Sequence, residues 1–140
     1  MIYLDTGVAV ALLIPEPASA AALRWFARLD TLPVLSDWTI TEFSSALSIK
    51  ERTGQISRRD AGRVRREFDS FSGGVRVVPV TRDAFRAAAV LAARVEWALR
   101  SGDALHLAVA AAAAASSVAT LDRAMAEATR CIGIKLEKFD

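Results

Sequence analysis

The 140-residue sequence contains a single cysteine, Cys131, and a single histidine, His106. One cysteine excludes an internal disulfide, and a zinc site of the usual cysteine and histidine type lacks its ligands. No serine–histidine–aspartate or cysteine–histidine nucleophile is evident. We therefore expect Cys131 to be a buried or incidental thiol, and any chemistry must come from other side chains.

Long apolar segments and targeting signals are also missing. Residues Met1–Asp5 lack a basic segment followed by the apolar stretch of a signal peptide. The apolar run Val8–Ile14 is too short to span a bilayer, and Pro15 ends it. The alanines of Ala110–Ala115 favour a buried helix. We expect a cytoplasmic protein with no membrane partner.

The composition is that of a folded globular protein, with 53% hydrophobic and 24% charged residues. Its length is close to that of one domain, and the chain shows no linker or internal repeat, so we predict a single domain over 1–140. The formal net charge is +2. If several acids gather in one site, the remaining surface is more basic, which is compatible with a polyanionic partner.

Strand and helix patterns alternate along the whole chain. The candidate strands are Ile2–Leu4, Pro33–Leu35, Val75–Val80, Ser117–Thr120 and Ile134–Phe139. This alternation predicts an α/β fold in three layers, α/β/α, around a mainly parallel central sheet. The last run alternates apolar and polar residues, which predicts a half-exposed edge strand.

Capping residues and glycines suggest where the helices begin and end. Ser19 is a candidate cap for the second helix, and Ser57 begins a capping-box pattern before a later one. Gly73-Gly74 predicts a turn after that helix. We expect further helices at about Asp83–Val95 and Asp103–Ala115.

Four acidic residues, Asp5, Glu42, Asp103 and Asp122, fall where a predicted strand ends or a helix begins. Taken singly, each also fits an ordinary role as a helix cap or first-turn charge, an effect of about 0.3–1 kcal/mol. In a parallel sheet, however, strand carboxyl ends and helix amino ends share one edge. The four side chains are therefore predicted to converge there.

Such convergence has a chemical consequence. Two carboxylates about 5 Å apart repel each other by roughly 3 kcal/mol at an effective dielectric constant near 20. Their pKa values rise, or a cation compensates the charge. Oxygen ligands suit hard divalent ions, so Asp5, Glu42, Asp103 and Asp122 predict a Mg²⁺ or Mn²⁺ site and phosphodiester chemistry.

Four segments resemble the motifs of the PIN-domain ribonucleases, and within these the chain is most similar to VapC-type toxins of type II toxin–antitoxin systems. These segments are Tyr3–Thr6, Thr41–Phe43, Gly102–Ala108 and Ala119–Asp122. The resemblance covers essentially the whole chain and implies a PIN-like fold. The chain departs from the family at Gly7, where VapC-like proteins often carry serine, and this puts any role of that position in doubt.

The resemblance also implies a function and partners. It implies a metal-dependent endoribonuclease that hydrolyses RNA, uses Mg²⁺ (or Mn²⁺), forms a homodimer and is held inactive by a cognate VapB-like antitoxin. Asp5 and Asp103 match the family's metal ligands, and the other two acids complete the cluster directly or through water. Thr6 and Thr120 match supporting hydroxyl positions.

Other interpretations stay open at this stage. His106 lies three residues after Asp103, and a packed, hydrogen-bonded core histidine is favoured over a catalytic one. The apolar residues Leu12, Leu13, Trp25 and Phe26 could line a groove for an antitoxin helix or belong to the core.

Two rival functions compete with a ribonuclease. A phosphoacceptor receiver domain would need an aspartate after Val75–Val80, where the sequence has Thr81. A non-catalytic PIN-like module that binds RNA or protein is the remaining alternative. The basic face formed by Arg59, Arg63 and Arg66 fits plain solvation better than RNA steering.

Overall fold

A computed structural model describes all residues from 1 to 140, with five short strands and seven α-helices. The strands are β1 (Ile2–Leu4), β2 (Leu35–Ser36), β3 (Val77–Val78), β4 (Ser117–Ala119) and β5 (Lys135–Leu136). The helices are α1 (Thr6–Leu13), α2 (Ser19–Ala27), α3 (Asp37–Arg52), α4 (Arg58–Gly74), α5 (Arg82–Ala92), α6 (Ser101–Ala112) and α7 (Arg123–Cys131). None of these helices has the length and apolar character needed to cross a membrane.

Every strand pairing is parallel. β4 lies between β1 and β5, and β2 pairs with β3. A single parallel bridge between Tyr3 and Val34 joins the two sheets, giving the order β3-β2-β1-β4-β5. The mainly parallel α/β fold is confirmed, and the carboxyl ends of all strands therefore face one edge.

The core consists of two apolar clusters on opposite faces of this sheet. Successive strand residues alternate between them: Tyr3 and Val118 belong to one cluster, and Leu4 and Ala119 to the other. Helices α5 to α7 contribute to the first cluster, and α1 to α4 to the second. This arrangement confirms the predicted α/β/α layers.

Two of the predicted helix ends were wrong. Ser19 is the first residue of α2, but its hydroxyl does not cap that helix. Instead it accepts a hydrogen bond from the Glu16 N–H (2.8 Å) and donates one to the Ile14 carbonyl (3.0 Å). The Gly73-Gly74 pair lies inside α4, because glycine lowers helix stability by about 1 kcal/mol without forbidding the helix. Ser57, in contrast, does cap α4, accepting from the Asp60 N–H.

Further differences concern α5, α6 and the cysteine. α5 ends at Ala92, and a short 3₁₀ turn follows over Val95–Trp97. α6 begins at Ser101, two residues before the predicted start, and its end is followed by Ala114 in the left-handed region (φ 52°). Cys131 is exposed, so of the two alternatives, a buried or an incidental thiol, the structure excludes the buried one.

Candidate active site at the carboxyl edge of the sheet

Asp5 connects β1 to α1 at the centre of the sheet edge. Its backbone N–H donates to the Ala119 carbonyl (3.1 Å), which ties it to β4. Its side chain caps α1, since Oδ1 accepts from the Val8 N–H (2.9 Å). Only 4% of Asp5 is exposed, so its position is set by both neighbouring elements.

Thr120 links Asp5 to Asp122 immediately after β4. The Thr120 hydroxyl donates a short hydrogen bond to Asp5 Oδ2 and accepts one from the Asp122 N–H (3.0 Å). Asp122 in turn caps α7, accepting from the Met125 N–H (2.7 Å). One hydroxyl therefore holds two of the predicted acids in a defined relation.

Asp103 lies in the first turn of α6 and is paired with Arg100. The Arg100 Nε lies 3.1 Å from Asp103 Oδ2, and its guanidinium also reaches to 3.6 Å from Asp122 Oδ2. The Arg100 side chain is 79% exposed, and an ion pair of this kind contributes about 0–1 kcal/mol. A weakly held cation thus bridges two of the acids.

Glu42 is held by a separate buried network. Its Oε2 accepts hydrogen bonds from the Thr6 hydroxyl (2.7 Å) and from His106 Nε2 (2.7 Å). His106 Nδ1 lies 2.8 Å from the Tyr3 hydroxyl, which also contacts the Ser36 hydroxyl (2.8 Å). The two ring nitrogens of His106 thus face Glu42 and Tyr3, one on each side. His106 is therefore the buried, hydrogen-bonded core histidine that the sequence favoured.

Burial raises the pKa of Asp5 above its usual range, and the negative charge of Asp103 adds to this effect, against the hydrogen bonds from Thr120 and Val8. Burial likewise raises the pKa of Asp103, opposed by Arg100 and reinforced by the charge of Asp122. Both carboxylates are therefore short of compensating positive charge.

The pKa of Glu42 shifts in the opposite direction. Burial alone would raise it, but the hydrogen bonds from His106 and Thr6 outweigh burial and lower the pKa. Burial raises the pKa of Tyr3, so its hydroxyl stays protonated and able to donate. The edge of the sheet therefore combines two carboxylates that resist ionisation with one that ionises readily.

The four predicted acids lie on this one edge, but their side chains are not arranged as the ligands of a metal ion. No group of three histidine, cysteine, aspartate or glutamate residues has the arrangement needed to hold a metal ion. The reason lies in their present partners: Arg100 stands between Asp103 and Asp122, and Glu42 is turned toward Thr6 and His106.

The chemistry of the donor set nevertheless fits a hard divalent cation. All four side chains offer carboxylate oxygens, and a positive group, the Arg100 guanidinium, already sits between two of them. Because Arg100 is largely exposed, it can leave without disturbing the core.

Sequence reasoning missed three residues of this edge. Arg100 could have been found from its spacing, three residues before Asp103 on one helix face. Gly102 carries no such signal: a Cβ there would stand 2.6 Å from Glu42 Oε1, so only glycine permits this approach. The role of Tyr3 depends on contacts more than 30 positions away in sequence, with Ser36 and His106.

Comparison with known proteins agrees with this architecture. The chain resembles the solved structure of VapC20 from Mycobacterium tuberculosis, described as a sarcin–ricin loop cleaving toxin, with a TM-score of 0.73 and 22% identity over 91% of this chain and 95% of that one. It is similar to FitAcB from Neisseria gonorrhoeae (TM-score 0.73, 18% identity, 99% and 97% coverage). A third similar structure is VapBC2 from Rickettsia felis bound to a DNA fragment from their promoter (TM-score 0.68, 19% identity, 100% of both chains).

No curated protein matches the chain significantly. At identities this low, the structural matches show the fold alone. The family model described as PIN domain, in contrast, matches residues 2–130. With a match that spans nearly its whole length, the chain belongs to the PIN domain family.

Proposed function

We propose that this protein is a VapC-type toxin: a Mg²⁺- or Mn²⁺-dependent endoribonuclease that hydrolyses RNA phosphodiester bonds and is neutralised by a cognate antitoxin. Membership of the PIN domain family and structural similarity to toxins such as VapC20 support this assignment. We also propose that residues 1–140 act as one domain, in the cytoplasm and as a homodimer.

One observation carries the proposal: Asp5 is buried at the carboxyl edge of the sheet, next to Asp103, with its pKa raised by burial. Its side chain caps α1 and accepts from Thr120, but burial disfavours its ionised form. It gains most from a cation that enters from solvent and neutralises both acids. A metal-dependent reaction at this edge explains why a destabilising charge is placed there.

Asp5 and Asp103 would bind the metal ion, and Glu42 and Asp122 would complete the site directly or through water. When bound, the divalent ion would polarise the scissile phosphate and lower the pKa of the attacking water. For this to happen, Arg100 must leave Asp103 and Asp122. Its exposed guanidinium would then be available to pair with a phosphate of the RNA.

The remaining residues would position the acids. Thr120 holds Asp5 and Asp122 in register, and Thr6 holds the Oε2 atom of Glu42. Glu42 Oε1 makes no hydrogen bond within the chain and belongs to a carboxylate whose pKa is lowered. We propose that Oε1 accepts a hydrogen bond from the attacking water and orients it.

An antitoxin could exploit the same charge. An edge that already accepts the guanidinium of Arg100 would also accept an arginine or lysine from a partner. One solved structure similar to this chain is described as a toxin–antitoxin complex, from Klebsiella pneumoniae. Leu12, Leu13 and Phe26 are only partly buried and would help to form a groove for an antitoxin helix, whereas Trp25 belongs to the core.

A cleavage assay tests the proposal. Purified protein is incubated with total RNA and with short single-stranded RNAs, in Mg²⁺, in Mn²⁺ or in chelator, and the product ends are mapped. We expect metal-dependent cleavage by the wild type and a loss of at least about a hundredfold in Asp5→Asn. Asp69→Asn, an exposed acid on α4, is the matched control and should cleave normally.

Cleavage that persists in a correctly folded Asp5→Asn variant would contradict the proposed site. RNA binding without any metal-dependent cleavage by the wild type would instead favour a non-catalytic PIN-like module.

A further inference from the structure

A small apolar cavity of about 260 Å³ lies beside the acidic edge, between α3, α5 and the start of α6. Its lining includes the rings of Trp38 and Phe85, the small side chain of Ala89, and the Ser101-Gly102 pair. The volume lies just below the range of cavities that take drug-sized molecules, so it suits a single ring system. Its walls are mainly hydrophobic, with few polar groups to orient an occupant.

One of those polar groups has no partner. Trp38 Nε1 is the single buried side-chain nitrogen or oxygen in the chain without a hydrogen bond. A donor left in this state costs about 1–3 kcal/mol, and buried donors are normally paired. The atom lies 3.6 Å from the position of a Cβ on Gly102, which also lines the cavity. The unpaired N–H therefore lies buried against Gly102, within the wall of the cavity.

Gly102 also connects the cavity to the acids. A Cβ at this position would stand 2.6 Å from Glu42 Oε1, so only a glycine separates the cavity from that carboxylate. Asp103 follows directly in the sequence. A molecule in the cavity would therefore lie next to whatever group the acids engage.

We propose that this cavity is a base-binding subsite, which takes the nucleobase beside the scissile phosphate and makes Trp38 a specificity-determining residue. The inference rests on the proposed ribonuclease function. Unpaired RNA bases are recognised by stacking on aromatic rings and by hydrogen bonds to their edges. Trp38 and Phe85 supply the rings, and a small rotation of the Trp38 ring brings its buried N–H to a carbonyl oxygen or ring nitrogen of the base.

Two variants separate this role from catalysis. Trp38→Phe removes the N–H but keeps an aromatic ring. Ala89→Leu narrows the cavity from α5, on the wall away from the acids. Ala87→Leu makes the same change on α5 but toward a different groove, and is the matched control.

The first measurement is kcat/KM on short single-stranded RNAs that carry each base in turn, or an abasic site, next to the cleaved bond. In the wild type we expect one such position to change kcat/KM by about tenfold or more when its base is altered or removed. In Trp38→Phe and Ala89→Leu, kcat/KM should depend less on the base at that position, with no change at other positions. In Ala87→Leu, the base preference should stay as in the wild type.

The second measurement follows the Trp38 indole N–H by NMR, assigned from its absence in Trp38→Phe, while nucleoside monophosphates are added. We expect this signal to shift with the nucleotide. An unchanged base preference in both cavity variants, in protein that still cleaves RNA, would overturn the subsite and leave the ribonuclease function standing.

Two other outcomes also overturn the subsite. A Trp38 signal that moves with protein concentration and ignores nucleotide would identify the cavity as a contact between two copies of the chain. A wild-type protein that cleaves no RNA under any metal condition would overturn the proposed function, and the subsite with it.

Discussion

At the scale of single residues, Asp5 affects the stability of the fold in two opposite ways. Its side chain caps α1 and accepts from Thr120, which stabilises the edge of the sheet. Burial beside Asp103 nevertheless raises its pKa, so the ionised form opposes folding. Asp122 also caps a helix, so both residues combine a capping role with a place in the proposed site.

The pH dependence of stability should reveal the destabilising effect of the ionised Asp5 side chain. Because its pKa in the folded state is raised above the unfolded value of about 3.9, its contribution favours folding below that value and is lost as the pH rises through the folded pKa. As the pH rises from 4 to 7, we expect the free energy of unfolding of Asp5→Asn to increase relative to that of the wild type. Urea denaturation at several pH values measures the difference.

Asp69→Asn provides the control, since it removes a carboxylate from the exposed face of α4. A difference between Asp5→Asn and wild type that stays constant with pH would contradict the raised pKa.

Glu42 follows the opposite rule. Hydrogen bonds from His106 and Thr6 outweigh burial and lower its pKa, so its contribution to stability is present above the unfolded pKa and lost as the pH falls through the folded one. In contrast to Asp5 and Asp103, Glu42 is thus an acid whose negative charge the fold supports.

At the scale of elements, side chains of α3 lie close to α6 at Gly102. Its missing side chain leaves room for Glu42 Oε1 on one side and the Trp38 ring on the other. Gly73, inside α4, has no atom within 4 Å of the place where a Cβ would stand. The surroundings of the two glycines therefore differ. A side chain at Gly102 would have to displace Glu42, and one at Gly73 would displace nothing.

The pair Gly102→Ala and Gly73→Ala tests this difference. Alanine favours a helix over glycine by about 1 kcal/mol. We expect Gly73→Ala to raise the free energy of unfolding by about 0.5–1 kcal/mol and to leave cleavage unchanged.

Gly102→Ala should show no such gain, because the new Cβ displaces Glu42, and it should slow RNA cleavage by about tenfold or more. Denaturant unfolding and cleavage rates measure both quantities. Equal stabilisation of the two variants with full activity would show that the contact with Glu42 is unimportant.

At the scale of the whole molecule, the parallel sheet gathers charges from four distant parts of the chain. Asp5 and Asp122 follow the adjacent strands β1 and β4, while Glu42 and Asp103 project from α3 and α6. Arg100 is the cation that balances part of this charge. A metal ion that takes over that role would stabilise the whole fold.

Thermal unfolding should therefore depend on the divalent cation. A ligand that binds only the folded state stabilises it by about 2.7 kcal/mol at a hundredfold excess over its Kd. We expect Mg²⁺ or Mn²⁺ to raise the Tm of the wild type, and to do so far less in Asp103→Asn. Calorimetry over a range of metal concentrations measures the shift, with Asp69→Asn as control. Equal shifts in all three proteins would place the metal elsewhere.

Local pattern was enough to predict the layers and much of the element order. Alternation between strand and helix signals indicated a parallel sheet, and the alternating run at the carboxyl end matches β5 at the edge. The wrong predictions concern the ends of helices. Gly73-Gly74 continues α4, and the Ser19 hydroxyl is used by the preceding loop, because tertiary contacts override weak local preferences.

The sequence by itself determined that carboxylates, and not thiols or imidazoles, are the candidate groups for chemistry, since it holds one cysteine and one histidine. It also placed four acids at strand and helix ends, where a parallel sheet brings them to one edge. Only the tertiary structure decided which acids are buried, which pair with Arg100 and which bond to His106. Those partners lie up to 115 positions apart in sequence, as Thr120 and Asp5 do, and the balance of burial against hydrogen bonds depends on that packing.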